Sequence, residues 1–313
     1  MKNKFKFTEK DNQKIFVYNW LAKEVDIRGI VQIAHGMAEH AARYEEFAST
    51  LVNNGYIVYA NDHRGHGKTV SKRENLGYFA EEEGWKLVVE DFHQLTNIIK
   101  KKYPNYPIFI LGHSIGSLIV RNYISKYGRE VNGVILSGTL SKQGLLGELG
   151  ILIALLEKWL RGAKNKKSIL NKLVFMGYNK AFNNPRTPYD WLSRDNNQVD
   201  QYINDPLCGQ DCTSAFFHDL LSLSKEVNQF KNVQKIPKDL PIYLISGSKD
   251  PVGDNKKGIL EIYNSYLKAG IEDIEYKFYP GGRHEILNEI NKEEVFEDII
   301  NWLDNHNRGV KDE

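Results

Sequence analysis

Ile108-Phe109-Ile110-Leu111-Gly112-His113-Ser114-Ile115-Gly116-Ser117 is the stretch whose reading decides the fold. Ile108 to Leu111 is a short, wholly apolar run of the kind that a parallel sheet buries on both faces. Ile115 to Tyr127 reads as a helix, so the residues between are a sharp strand-to-helix turn. Gly112-His113-Ser114-Ile115-Gly116 has the form Gly-x-Ser-x-Gly. Such a turn holds its serine in a strained backbone conformation with the hydroxyl exposed, and the two glycines let backbone and helix approach without clash. From average residue usage the pentapeptide arises by chance in about one chain in ten of this length, so the flanking strand and helix carry the argument. Ser114 is read as a nucleophile.

Outward from this turn the chain alternates. Ile15 to Leu21, Ile30 to Ala34 and Tyr56 to Asn61 are strand-like, and Tyr44 to Asn54 is helical. Trp85 to Lys102 places Leu87, Val88, Phe92, Leu95, Ile98 and Ile99 at helical spacing and ends before Pro104. Val131 to Leu136 is a second buried strand. This rhythm predicts a mostly parallel, doubly wound α/β sheet. It breaks after Gly138: from about Leu140 to Lys235 there are helical patterns and no convincing strand. It resumes with Ile242 to Ser246, a helix from Lys256 to Ala269, Glu275 to Tyr279, and a helix from Glu293 to Asn305. The expected organisation is a core of residues 1–139 and 236–313, with a helical cap inserted at 140–235.

A serine nucleophile needs a base and an acid that orients it, and in this kind of sheet they follow in the order serine, acid, histidine. Of the histidines after Ser114, His218 falls in the insertion and His306 at the polar end of the last helix. His284, in Pro280-Gly281-Gly282-Arg283-His284-Glu285, follows a strand and sits where sites of open α/β sheets gather. The strand ending at Leu136 leads into Ser137-Gly138-Thr139 with no carboxylate, whereas Ile242 to Ser246 leads into Gly247-Ser248-Lys249-Asp250-Pro251. Asp250 is the expected acid, with Asp254 the alternative. Backbone N–H donors for an oxyanion are expected at Ile115 and, in His35-Gly36-Met37-Ala38-Glu39-His40, at Met37.

The remaining features exclude more than they add. The chain has 313 residues and a net charge of +2, which gives no ground for a nucleic-acid partner. Cys208 and Cys212 fit neither a disulfide framework nor a Cys-x-x-Cys motif, and are expected as free thiols. His35, His40, His63, His66 and His113 lack a recognised metal spacing, so no metal or other cofactor is expected. Met1 to Thr8 has no apolar run of a secretory signal, and Leu145 to Leu160 is too short for a membrane span. A cytoplasmic protein, peripheral at most to a membrane, is the expectation; the oligomeric state is left open.

Together these segments resemble the monoacylglycerol lipase and lysophospholipase group of α/β hydrolases, the serine aminopeptidase S33-like family. The likeness runs through residues 35–40, Asp62-His63-Arg64-Gly65-His66-Gly67, the Ser114 turn, Gly247 to Gly253 and Gly282 to Glu285. Trp191-Leu192-Ser193-Arg194-Asp195 and Asp205-Pro206-Leu207-Cys208-Gly209 share it. The resemblance implies an α/β-hydrolase fold, a mobile cap over an acyl-binding tunnel, and hydrolysis of esters with one fatty acyl chain. Leu145, Leu149, Leu152 and Leu156, on a helix apolar around most of its circumference, are expected to meet acyl chain or a membrane surface. An aminopeptidase or thioesterase on the same triad is the rival reading. The aminopeptidase would need an acidic cluster, for which Glu39, Glu148, Glu157 and Asp195 are the candidates. A non-catalytic ligand receptor would have no use for the complete triad.

Overall fold

The computed structural model describes residues 2–21, 27–175, 177–182 and 184–307. Eight strands form one sheet: β1 (Lys2–Thr8), β2 (Lys14–Trp20), β3 (Gly29–Ala34), β4 (Tyr56–Asn61), β5 (Ile108–His113), β6 (Gly133–Ser137), β7 (Ile242–Gly247) and β8 (Ile274–Tyr279). Their spatial order is β1-β2-β4-β3-β5-β6-β7-β8. The first two pairings are antiparallel and the five from β4 to β8 are parallel.

Strands β3 to β7 are buried along their whole length, as apolar runs of a sheet covered on both faces must be. Successive side chains go to opposite layers: Ile110 to one apolar cluster, Leu111 to the other. The first layer is made by α2 (Gly84–Lys102), α3 (Ile115–Tyr127) and α9 (Lys257–Lys268), and the second by α1 (Glu45–Asn53) and α10 (Lys292–His306). Strand β1 is an addition to the strands read from sequence. Its alternation of Lys2, Lys4 and Lys6 with Phe5 and Phe7 is that of a half-exposed edge strand, on which lysines discourage pairing with another chain.

Between β6 and β7 lie α4 (Gly144–Arg161), α5 (Leu170–Phe175), α6 (Asn196–Asn204), α7 (Ser214–Val227) and α8 (Phe230–Val233), with no strand among the described residues. The insertion does not stand apart. Phe216, Phe217, Leu220 and Leu223 of α7 share one apolar cluster with Val88 of α2 and Leu118 of α3. Helix α4 lies on α7 through its small residues Gly150 and Ala154, both buried. A Cβ at Gly150 would come within 2.7 Å of a Leu221 methyl, so the small face must turn inward. That orientation sends the leucines outward.

Candidate active site

The site is built at the C-terminal ends of three parallel strands. After β5, Ser114 has φ 54° and ψ −121°, a strained conformation for a non-glycine residue, before α3 begins at Ile115. The close approach behind it requires Gly116, where a Cβ would lie 2.1 Å from the Ala34 carbonyl oxygen. The Ser114 N–H donates to the Ser137 carbonyl at 2.9 Å, tying the turn to the end of β6.

The loop after β7 carries Asp250 and the loop after β8 carries His284, and both side chains are buried. His284 Nδ1 lies 3.0 Å and 3.1 Å from the two Asp250 carboxylate oxygens. The Ser246 hydroxyl and the Val252 N–H also donate to that carboxylate, at 3.2 Å and 2.9 Å. Burial alone would raise the Asp250 pKa, but the His284 imidazole and the Val252 N–H outweigh it and hold the group below its ordinary value. For His284 burial opposes the charged form, and Asp250 overcomes it, so the imidazole pKa is raised. Gly138, at φ 55°, leaves room for the ring: a Cβ there would be 3.0 Å from His284 Cε1. Asp254, the alternative acid, is exposed and faces Lys257 at 3.9 Å.

Ser114 and His284 line one cavity with Met37 and Ile115, and its volume is about 60 Å³. The amides on either side of Met37 are engaged within the protein: Gly36 N–H donates to Glu39 and Ala38 N–H to His66 Nε2. His35, His63 and His66 serve as scaffolding. His35 Nε2 accepts the His63 N–H at 2.9 Å, and burial pushes the His63 and His66 pKa values down to about 3 and about 4. His113 packs beside His284, with ring centroids 4.7 Å apart. Cys208 and Cys212 are free thiols.

The rest of the cavity wall comes largely from the insertion: Leu140, Val174, Tyr178, Trp191, Leu192, Tyr202 and Leu220, with Val252 from the loop after β7. The Trp191 and Leu192 carbonyls accept the His284 and Glu285 N–H groups at 3.3 Å and 2.7 Å. Leu145, Leu149, Leu152 and Leu156 do not line this cavity; they are 89%, 53%, 50% and 47% exposed. The sequence reading named none of these wall residues as acyl-contacting, because short loops and helices without periodicity give no sign of facing a distant serine.

One buried network also escaped it. Arg43 donates to both Glu285 oxygens, at 2.7 Å and 2.6 Å, and to Glu39 at 2.7 Å. Glu39 and Glu285 both line the cavity. Burial would raise the Glu285 pKa, but Arg43 drives it down to about 2. Burial prevails at Glu39, which is raised. The spacing of Glu39 and Arg43, four residues apart, was a visible signal; Glu285, 242 residues from Arg43, had none. The other proposed acidic groups lie elsewhere. Glu148 pairs with Lys225, Glu157 accepts from Ile169 N–H and the Ser214 hydroxyl, and Asp195 caps α6.

Residues 25–291 match the family described as serine aminopeptidase, S33. A monoacylglycerol lipase of Mycolicibacterium smegmatis is 30% identical over 299 residues, covering 93% of each chain. The monoglyceride lipase of Rattus norvegicus is 28% identical over 298 residues, 94% of this chain and 88% of its own. A thermostable carboxyl esterase from Bacillus coagulans, solved with glycerol, superposes with a TM-score of 0.90 at 29% identity, covering 98% of this chain and 99% of that one.

Proposed function

The chain belongs to the serine aminopeptidase S33 family of α/β hydrolases and is a serine hydrolase, and from that premise we propose that it cleaves esters of lipids carrying one fatty acyl chain, monoacylglycerols or lysophospholipids. The observation that carries this reading is a strained Ser114 sharing one cavity with a histidine whose Nδ1 sits on a buried carboxylate. Asp250 holds the Nδ1–H tautomer, which leaves the Nε2 lone pair as base. His284 takes the Ser114 proton as the oxygen attacks the ester carbonyl, and returns it to the departing alcohol. A water then repeats the sequence on the acyl-enzyme and frees the fatty acid. The Met37 and Ile115 N–H groups stabilise the oxyanion in both halves.

Residues 140–235 act as the cap in this proposal. A cavity of about 60 Å³ holds a few water-sized groups and not a long acyl chain, so wall residues such as Val174 and Tyr178 must move to admit one. On the outer surface Leu145, Leu146, Leu149, Leu152, Leu156, Trp159 and Leu160 form an exposed apolar face suited to resting on a lipid surface. No described helix is long and apolar enough to cross a membrane. A free amino group finds no unpaired acidic cluster at the cavity, since Arg43 already engages both carboxylates there. The test is a turnover panel of monoacylglycerol, lysophosphatidylcholine, nitrophenyl esters of graded length and an aminoacyl anilide. A fluorophosphonate probe is expected to label Ser114, and Ser114→Ala to lose both labelling and ester turnover. An adduct mapped to Ser117, or preferred turnover of the anilide, refutes the proposal.

A further inference from the structure

We propose that His40, Asp205 and Cys208 bind a divalent cation of the zinc type at the seam between the loop after β3 and the inserted helices, and that the bound ion clamps the two together. Each residue offers one donor atom, and the three atoms lie within 4.8 Å of one another. His40 Nε2 and Asp205 Oδ2 are already 2.9 Å apart. Donors on a tetrahedral zinc stand about 3.5 Å from one another, so closing the set needs a shift of no more than about 1.5 Å. Nitrogen, carboxylate oxygen and sulfur together suit zinc, whereas calcium and magnesium take oxygen ligands.

The local structure presents these donors. Asp205 and Cys208 sit on one turn, closed by the Cys208 N–H donating to the Asp205 carbonyl at 3.0 Å. Asp205 Oδ1 accepts the Leu207 N–H at 2.8 Å, which turns Oδ2 toward His40. His40 is 7% exposed and presents Nε2 to Asp205. Zinc would bring positive charge to this set and release the Cys208 thiol proton to solvent, leaving a thiolate and a carboxylate to balance the ion. Arg43, the neighbouring cation, is engaged by Glu39 and Glu285 and does not fill that role.

The clamp would act on the site. His40 lies three residues after Met37, and the Gly209 N–H donates to the Ala38 carbonyl at 2.9 Å, so the ion would tighten an existing contact. Because a long acyl chain needs the cap to move, zinc should hinder long-chain esters more than short ones; this half rests on the proposed ester hydrolysis.

Equilibrium dialysis of the metal-free protein against micromolar zinc should give one ion per chain. Cys208→Ser and Asp205→Asn should each weaken that binding by more than about 100-fold, beyond the loss of an outer-sphere partner. Cobalt in place of zinc should show a thiolate-to-metal charge-transfer band that Cys208→Ser lacks. Saturating zinc should slow a long-chain ester about tenfold and a butyryl ester less than about twofold, an ordinary coupling between two sites, with chelator restoring both. No retained zinc, or equal retention by both folded variants, overturns the site. Stoichiometric zinc with both esters unaffected overturns the clamp. Zinc retained by a protein that, metal-free, turns over no ester overturns the ester proposal and leaves the site standing.

Discussion

Replacing Arg43 with methionine takes the guanidinium from between two buried carboxylates while keeping most of the side-chain volume. Glu39 and Glu285 are 2% and 6% exposed, and Arg43 reaches them through three hydrogen bonds of 2.6 to 2.7 Å. Holding the Glu285 pKa at about 2 against an ordinary 4.5 corresponds to on the order of 3 kcal/mol, at about 1.4 kcal/mol per pH unit. Breaking a buried ion pair from one side costs about 3–5 kcal/mol, the same size. Arg43→Met should therefore lower the unfolding free energy by about 3–5 kcal/mol at pH 7, measured by urea denaturation. A depressed carboxylate pKa contributes stability above its unfolded value and loses it as pH falls toward the folded one. Without Arg43 the carboxylates protonate more readily, so the gap between wild type and variant should narrow from pH 7 to pH 4. Arg43→Lys should fall between, since it keeps the charge and loses the bidentate fork. A difference below about 1 kcal/mol at pH 7, or one that does not change with pH, refutes the reasoning.

Asp250→Asn should lower kcat for ester hydrolysis by about 10⁴-fold with the fold intact, because it favours the wrong tautomer of His284; Asp254→Asn should be nearly silent, and the reverse ranking would reassign the acid. The acid limb of kcat/KM should fall above 6.5, since His284 must be neutral to act as base and its pKa is raised; a limb below 6.5 contradicts the role of Asp250. Leu152→Asp and Leu156→Asp should change stability by no more than about 0.5 kcal/mol, because both side chains are about half exposed. Short-chain ester turnover should also hold, while each loss of an apolar anchor of about 1.5–3 kcal/mol weakens adsorption to lipid vesicles. Unchanged vesicle binding would remove the lipid surface from the proposal.

Local pattern determined much of this protein before any contact was known. Tyr56 to Asn61 and Ile115 to Tyr127 form the strand and helix their apolar spacing predicted, to the residue. The loop that carries Asp250 was visible for the same reason, since a buried strand is an apolar run and the chain's punctuation marks where it emerges; the strand before His284 is only partly buried, and its loop was marked by Pro280, Gly281 and Gly282. Tertiary structure decided what each face meets. The α4 leucines read as meeting acyl chain or a membrane surface because periodicity reports that a face is apolar and not what covers it; Gly150 and Ala154 took the inward position, and the leucines went to the surface, away from the Ser114 cavity. Arg43 with Glu285, and His40 with Asp205, meet across 242 and 165 residues. Side chains so far apart leave no periodic trace in the chain, and the fold alone brings them within bonding distance.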